Sequence, residues 1–177
     1  MEILIDGYNL LNALPVLKRS SVSEEKKREY LIKILDSYQR LKGHQIVLCF
    51  DAYRGFSLFD MIDDSLGIRI IYTARGRTCD DYIKEFVEEE HREKRLHSEK
   101  LLVVTSDREI INYVQRFSIE AISSKEFYSR LEMAAKIKGK EEAEDDFKPW
   151  EKTTKKKGPS KRLSKRERKR RNLLKKL

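Results

Sequence analysis

Four aspartates recur near the ends of apolar segments of this sequence. Three of them stand at or just past the carboxyl end of a run that predicts a buried strand: Asp6, Asp51 and Asp107. A fourth, Asp80, opens the helical segment after another such run. Carboxyl ends of adjacent parallel strands meet at one edge of a sheet, where ligands commonly bind. Since converging carboxylates repel one another and are costly to bury without a cation, the pattern predicts a shared site for divalent metal.

The ligand types predict Mg²⁺ or Mn²⁺ rather than Zn²⁺ at this site. Carboxylate oxygens are hard ligands, and the histidines and cysteines show no metal-binding spacing: His44, His91, His97, Cys49 and Cys79. Such ions commonly act on phosphates, where they generate hydroxide from water and stabilise the attacking and leaving oxygens of an in-line displacement.

Helix capping offers a competing explanation for some of these acids. S-D-R-E at Ser106–Glu109 can be a capping box, which would make Asp107 an ordinary first-turn acid. In T-C-D-D at Thr78–Asp81, the capping role falls to Asp81, and this favours Asp80 as the ligand. Three acids of the middle region are interpreted as solvated: Asp60, Asp63 and Asp64.

The elements that must position these residues alternate between strand and helix. Five apolar runs predict strands: Ile3–Ile5, Ile46–Phe50, Ile68–Tyr72, Leu101–Val104 and Ile119–Ile122. Residues 56–67 are ambiguous and are interpreted as a short helix, and Gly7 is expected to turn the backbone sharply. The alternation predicts an α/β fold with a parallel sheet of about five strands that helices cover on both faces.

Charge is unevenly distributed along the 177 residues. Residues 148–177 carry 15 lysines and arginines against two acids, whereas residues 1–147 carry 24 basic against 28 acidic residues. We therefore divide the chain into a folded domain (1–138), an acidic linker (139–147) and a basic tail (148–177) that is disordered or conditionally helical. Such a tail predicts salt-dependent binding to a polyanion, with nucleic acid as the first candidate, and its removal should leave the domain's chemistry intact.

Composition also narrows the compartment. No long apolar segment occurs, and the amino terminus lacks a basic flank followed by a hydrophobic stretch, so neither a membrane span nor a signal peptide is expected. Two cysteines without a disulfide framework favour a reducing cytoplasm.

Four ordered motifs resemble the NYN domain of YacP-type proteins, a branch of the PIN-like ribonucleases. They are I-D-G-Y-N at Ile5–Asn9, F-D-A at Phe50–Ala52, T-C-D-D at Thr78–Asp81 and T-S-D at Thr105–Asp107. The resemblance covers about residues 1–138, implies a PIN-like fold and leaves the basic tail outside the family domain. Cys79 departs from the small residue usual at its position, which should matter little.

The resemblance implies a metal-dependent endoribonuclease that hydrolyses RNA phosphodiester bonds. It implies that the catalytic and metal-binding residues are Asp6, Asp51, Asp80 and Asp107, with Asn9 and Ser106 close by. The family includes a ribosome-associated messenger RNA endonuclease, so RNA, including messenger RNA on the ribosome, is implied as the partner.

Several polar residues are candidates for substrate binding. Asn9 either orients Asp6 or a substrate phosphate, or merely stabilises a turn, and Ser106 either contacts substrate or caps a helix. Three arginines follow the second and third strands, where they either hold RNA phosphates or keep the loops soluble: Arg54, Arg75 and Arg77.

A second function remains open on sequence alone. The chain can also be a noncatalytic RNA-binding or ribosome-associated protein that uses its basic tail and has a weak or structural metal site. RNA cleavage that depends on added metal and on the aspartates separates the two functions.

Overall fold

A six-stranded sheet organises the fold in the computed structural model of the chain, which describes residues 1–15, 22–52, 57–93, 101–141 and 165–177. The strands are β1 (Glu2–Asp6), β2 (Gln45–Phe50), β3 (Met61–Ser65), β4 (Ile68–Tyr72), β5 (Leu101–Val104) and β6 (Glu120–Ile122). Their spatial order is β3-β4-β2-β1-β5-β6, and among these strands only β3 runs antiparallel to its neighbour. The predicted α/β fold with a mainly parallel sheet is confirmed.

Helices cover both faces of the sheet. They are α1 (Gly7–Ala13), α2 (Glu24–Lys42), α3 (Cys79–Glu93), α4 (Arg108–Arg116), α5 (Ser124–Glu141) and α6 (Lys165–Leu174). Helix α2 starts after Ser23, whose hydroxyl accepts the Lys26 N–H, and it ends at Gly43 with a φ of 65°. Glycine adopts this left-handed conformation without a Cβ penalty, so the helix stops there. None of the helices in the described ranges is long and apolar enough to cross a membrane.

Alternating side chains divide the interior into two cores. Ile3, Ile5 and Phe50 pack on the face that α1, α2 and α5 cover. Leu4 and Cys49 point the other way, into the core under α3 and α4. Because both faces are buried, the central strands read as continuous apolar runs, which is why the sequence predicts them well.

The prediction of a short helix in residues 56–67 is wrong. Met61–Ser65 forms an edge strand that pairs with β4 in an antiparallel hairpin. Its two turn residues, Leu66 and Gly67, both have positive φ, 55° and 74°. This is the backbone of a type I′ turn, but leucine is unusual at its first position, so the turn carries no strong sequence signal.

The role predicted for Gly7 also needs correction, because Gly7 is the first residue of helix α1 rather than a sharp turn. A Cβ at Gly7 would lie 2.3 Å from the Phe50 ring and 2.8 Å from the Cys49 carbonyl oxygen. The glycine is therefore required by close packing of α1 against β2.

The basic segment 165–177 is largely helical, which is one of the two states predicted for the tail. It forms α6 and the turn that follows, and it buries two leucines in the first core, Leu173 and Leu177, which are 6% and 5% exposed. The segment has no continuous apolar stripe. Leu173 and Leu177 pack on a core that the rest of the chain forms, and this contact is sufficient to hold the helix without a longer apolar stripe.

Polar contacts fasten the end of this segment to the body. The Tyr38 hydroxyl donates to the Leu177 carbonyl oxygen at 2.8 Å, and the His44 ring lies 2.9 Å from the Lys176 carbonyl oxygen through Nε2. Arg130 donates to the Leu174 carbonyl oxygen at 3.0 Å. Leu174 is the last residue of α6, so Arg130 satisfies a carbonyl group that the end of the helix leaves without an intrahelical bond. Helix α5 crosses the predicted boundary at residue 138, and residues 142–164, including most of the predicted linker, lie outside the described residues.

Candidate active site

The three strand-end aspartates lie on three neighbouring strands. Asp6 is the last residue of β1, Asp51 directly follows β2, and Asp107 stands three residues beyond the end of β5. The order β2-β1-β5 places β1 in the middle, and the chain changes direction across the sheet between β1 and β5. Ligands of open α/β sheets bind at such a switch point. We call this place, with Asp6, Asp51, Asp80 and Asp107, the aspartate edge.

Asp6 is held from several sides. It caps α1, accepting the Asn9 backbone N–H on Oδ1 at 3.0 Å and the Asn9 side-chain amide on Oδ2 at 2.5 Å. The carboxyl group is buried, and burial raises its pKa, with Asp51 adding to the rise while the Asn9 bonds oppose it. The Asn9 bonds both cap the turn into α1 and hold the Asp6 carboxyl group, and contact of Asn9 with a substrate phosphate stays a prediction.

Thr105 is a site residue that the sequence analysis missed. Its side chain is fully buried, its Oγ1 lies 3.4 Å from Asp6 Oδ2 as a donor, and it accepts the Asp107 N–H at 3.2 Å. The threonine thus links the ends of β1 and β5. A hydroxyl residue directly after a buried strand was the available signal, since the T-S-D motif begins with it.

Asp51 is positioned by the start of α3. Its Oδ1 accepts the Cys79 backbone N–H at 2.5 Å, and the next residue, Ala52, donates to Thr73 Oγ1 at 3.1 Å. The Cys79 side chain is buried beside Cys49, and the hydrogen bond to Cys49 and burial raise the pKa of its thiol. Cys79 is therefore a neutral packing residue below the aspartate edge, and Cys49 is buried beside it.

The two acids at the start of α3 have different surroundings. Asp81 Oδ2 accepts the Thr78 backbone N–H at 3.0 Å and Thr78 Oγ1 accepts the Asp81 N–H at 3.1 Å, which confirms the predicted capping box. Asp80 faces the other carboxylates: burial, then Asp6, Asp107 and Asp51, raise the pKa of Asp80 to about 6. Asp80 therefore belongs to the aspartate edge by its electrostatics.

The raised pKa of Asp80 predicts a pH dependence of stability. In metal-free protein, the free energy of unfolding should fall as pH rises through about 6, because below this pH the folded state keeps a proton that an ordinary aspartate, with a pKa of 3.8, has already released. Urea unfolding in chelator between about pH 4.5 and about pH 7.5 measures the effect. The Asp80→Asn variant should show a smaller dependence, and an equal dependence in both proteins contradicts the prediction.

The cap of α4 differs from the predicted capping box. Asp107 itself is the N-cap, accepting the N–H groups of Glu109 and Ile110 at 2.6 and 3.3 Å. Ser106 instead accepts the Ser124 N–H, at 3.3 Å, and so connects the β5 loop to the start of α5. Capping by Asp107 does not remove it from the aspartate edge, because Asp107 raises the pKa of Asp80.

The carboxylates interact electrostatically without forming a ready coordination shell. Among the residues that the structure describes, no three His, Cys, Asp or Glu side chains are placed so that they could hold a metal ion. The bonds of Asp6 to Asn9 and of Asp51 to Cys79 point these oxygens at protein donors. The donor chemistry nevertheless suits a hard divalent cation, because neighbouring carboxylates add to the raised pKa values of Asp6 and Asp80 and a cation relieves that repulsion.

Comparison with known proteins identifies the family. The model for the YacP-like NYN domain matches residues 3–176. The chain belongs to the YacP-like NYN family. The uncharacterised protein YacP of Bacillus subtilis (strain 168) is 29% identical over 87 residues, which are 49% of this chain and 51% of YacP. The match thus spans about half the length of that curated relative.

Solved structures of a YacP-like NYN protein share the fold. The crystal structures of Rae1 (YacP) from Bacillus subtilis and of a mutant form superpose with TM-scores of 0.64 and 0.66 at 23% identity. They cover 82% and 85% of this chain, and the aligned parts are 81% and 86% of those chains. The family match also extends through the basic segment, so the expectation that residues beyond 138 lie outside the family domain is wrong. Membership of this family supports a nuclease type of function.

The three candidate arginines of this YacP-like NYN domain differ in their contacts. Arg54 lies outside the described residues. Arg75 is exposed, and its backbone N–H donates to the Ser57 carbonyl oxygen at 3.0 Å. Arg77 is bound to two acids, Asp60 and Glu85, so the structure uses it to fasten the loop to α3. Asp60 also accepts the Ala74 N–H at 2.8 Å, and it is therefore not the solvated acid that the sequence predicted.

Proposed function

We propose that the protein is a metal-dependent endoribonuclease that hydrolyses RNA phosphodiester bonds at the aspartate edge. The observation that carries the proposal is the electrostatic coupling of Asp80 to three further aspartates from adjacent strands. Helix capping does not account for Asp80, because Asp81 already serves the cap at the start of α3. The family, with its nuclease type of function, supports the same conclusion.

Mg²⁺ or Mn²⁺ is the metal that the donor set suits, and Asp6, Asp51, Asp80 and Asp107 would hold it. When bound, the ion supplies a nucleophilic hydroxide from water and charge stabilisation for the phosphate oxygens. The chain's own residues position the carboxylates and determine the pH at which they ionise. Asn9 and Thr105 hold the Asp6 carboxylate in place, and the Cys79 N–H holds that of Asp51. Ionisation of Asp80, whose pKa is about 6, makes its carboxylate available as pH rises towards neutrality.

RNA, including messenger RNA on the ribosome, is the proposed partner, and the cytoplasm is the proposed location. The basic residues of segment 148–177 support a polyanionic partner. Two free, buried cysteines support a reducing compartment. Co-sedimentation with ribosomes over a range of salt concentrations tests the association.

The function is tested by titrating Mg²⁺ and Mn²⁺ into a cleavage assay on a labelled single-stranded RNA after treatment with chelator. We expect no cleavage without metal and saturable cleavage with it. A labelled DNA of the same sequence tests the preference for RNA. Binding of RNA without cleavage at any metal concentration would instead support the noncatalytic RNA-binding function.

A further inference from the structure

A group of side chains lies on the opposite face of the sheet from Asp6 and Asp51, and it has no part in the aspartate edge. It consists of Arg28 from α2, Tyr8 from α1 and Tyr72 at the end of β4. Arg28 Nη1 donates to the Tyr8 hydroxyl oxygen at 3.1 Å, and the guanidinium also hydrogen-bonds to Tyr72. We call these three residues the arginine–tyrosine cluster.

The Phe50 ring forms a rigid base for the arginine–tyrosine cluster. The Tyr8 ring meets it edge-on with a centroid distance of 5.2 Å, and the Tyr72 ring stacks on it at 5.9 Å. The Arg28 guanidinium lies 6.0 Å from the Phe50 ring centroid. Phe50 is fully buried and fits closely against Gly7, so the base cannot move without displacing α1. The cluster is therefore held in one arrangement before any ligand binds.

Chain connectivity places the arginine–tyrosine cluster next to the aspartate edge. Tyr8 follows Asp6 by two residues, and Phe50 directly precedes Asp51. Phe50 points into the core beneath α1 and α2, whereas Asp51 is bound from the α3 side. The cluster and the aspartates consequently flank the ends of β1 and β2 from opposite faces.

The cluster offers hydrogen-bond donors. A guanidinium has five N–H donors and no acceptor, and a tyrosine hydroxyl that accepts from it keeps one proton to donate, as at Tyr8 and Tyr72. An anion that only accepts hydrogen bonds, such as a phosphodiester, is the complementary ligand, and arginine suits its geometry. Burial raises the pKa of Tyr72, and the Asp63 carboxylate adds to the rise. This carboxylate would repel an anion on the β3 side, which favours the Arg28 side.

We propose that the arginine–tyrosine cluster is a phosphate-binding subsite, which holds the backbone of a single-stranded RNA as the strand crosses the sheet edge to the aspartates. The inference rests on the proposed endoribonuclease function and adds to it where the substrate strand lies. A contact to backbone phosphate positions the strand and carries no sequence preference of its own.

Binding of a short fluorescent single-stranded RNA in chelator, where no cleavage is expected, tests the subsite. Arg28→Gln should weaken binding about tenfold at low salt, because it removes charge-assisted hydrogen bonds. It should also reduce the slope of log affinity against log salt by about 0.7, the value for one phosphate contact on a single strand. Tyr72→Phe should weaken binding less and leave the slope unchanged, since it removes a hydroxyl but no charge.

Arg40→Gln is the matched control on the same helix. Arg40 pairs with Asp36 at 2.9 Å and lies about 18 Å along the α2 axis from Arg28, towards the other edge of the sheet. Equal slopes and affinities for the Arg28→Gln and Arg40→Gln proteins would overturn the subsite. A loss of RNA affinity in Arg28→Gln that is fully explained by a lowered Tm would also overturn it. Should Arg28→Gln impair folding, Tyr72→Phe alone decides, and unchanged affinity then overturns the proposal. Absence of metal-dependent cleavage in the wild type overturns the proposed function separately.

Discussion

Asp6→Asn is expected to reduce RNA cleavage to the level seen without metal, while the domain stays folded. Asp6 is the acid on the central strand β1, and it lies between the strands that carry Asp51 and Asp107. Asparagine keeps an oxygen that can accept the Asn9 N–H and cap α1, so the local structure is retained. It also removes a buried charge whose pKa is raised by burial, so stability in chelator should hold or rise. Cleavage assays and urea unfolding of the same preparations measure both effects.

Asp81→Asn is the matched control for this experiment. Asp81 is next to Asp80 on α3, but its carboxylate accepts the hydrogen bonds of the Thr78 cap. The substitution should therefore reduce stability slightly and leave cleavage nearly intact. Asp51→Asn, Asp80→Asn and Asp107→Asn should behave like Asp6→Asn. The four-carboxylate site would be refuted by wild-type cleavage in any two of these four variants, and loss of cleavage in Asp81→Asn alone would reverse the assignment of Asp80 and Asp81.

Leu173→Ala is expected to lower the free energy of unfolding by about 2–5 kcal/mol, although the residue lies in a segment with a tail-like composition. The Leu173 side chain is buried in the same core as Ile3 and Phe127, so truncation leaves a cavity there. Leu177→Ala should have a comparable effect. Chemical denaturation followed by circular dichroism, with equal slopes in all proteins, measures the change in stability.

Lys175→Ala is the control for the leucine substitutions, because Lys175 is exposed and lies between Leu173 and Leu177 in the sequence. Its unfolding free energy should stay within about 0.5 kcal/mol of the wild type, as for most surface substitutions. Removal of residues 165–177 should destabilise the whole domain, whereas composition alone predicts that loss of the tail weakens polyanion binding and leaves the domain's chemistry intact. A deletion protein with unchanged unfolding would show that α6 does not contribute to the core.

The sheet and its aspartates could be predicted from sequence because both depend on local patterns. Each central strand is buried on two faces and therefore appears as an uninterrupted apolar run, as in Ile46–Phe50. Once the strands are parallel, residues at their carboxyl ends must share an edge, and this places Asp6 and Asp51 together. The distinction between Asp80 and Asp81 followed from the three-residue spacing of a capping box.

The missed features depend on contacts between residues far apart in the chain. Nothing local shows that Thr105 reaches Asp6, 99 positions earlier, or that Leu177 meets Tyr38. Helix α1 was missed because it is only seven residues long and starts with glycine, which has a poor helix propensity. Composition did not show which of its two predicted states the tail adopts, because a high charge density concealed two leucines that dock on a core formed by the rest of the chain.

The hydrogen bond between Tyr38 and Leu177 also bears on synthesis of the protein. It joins residues 139 positions apart, so the first core cannot be completed until residue 177 has left the ribosome. At about 5–20 residues per second, translation of the residues after Glu141 takes about two to seven seconds. During this interval, the surface that α6 later covers, including the side of Tyr38, is exposed in the nascent chain. The newly made protein is therefore expected to gain its full resistance to proteolysis only once α6 has docked, later than its central sheet forms.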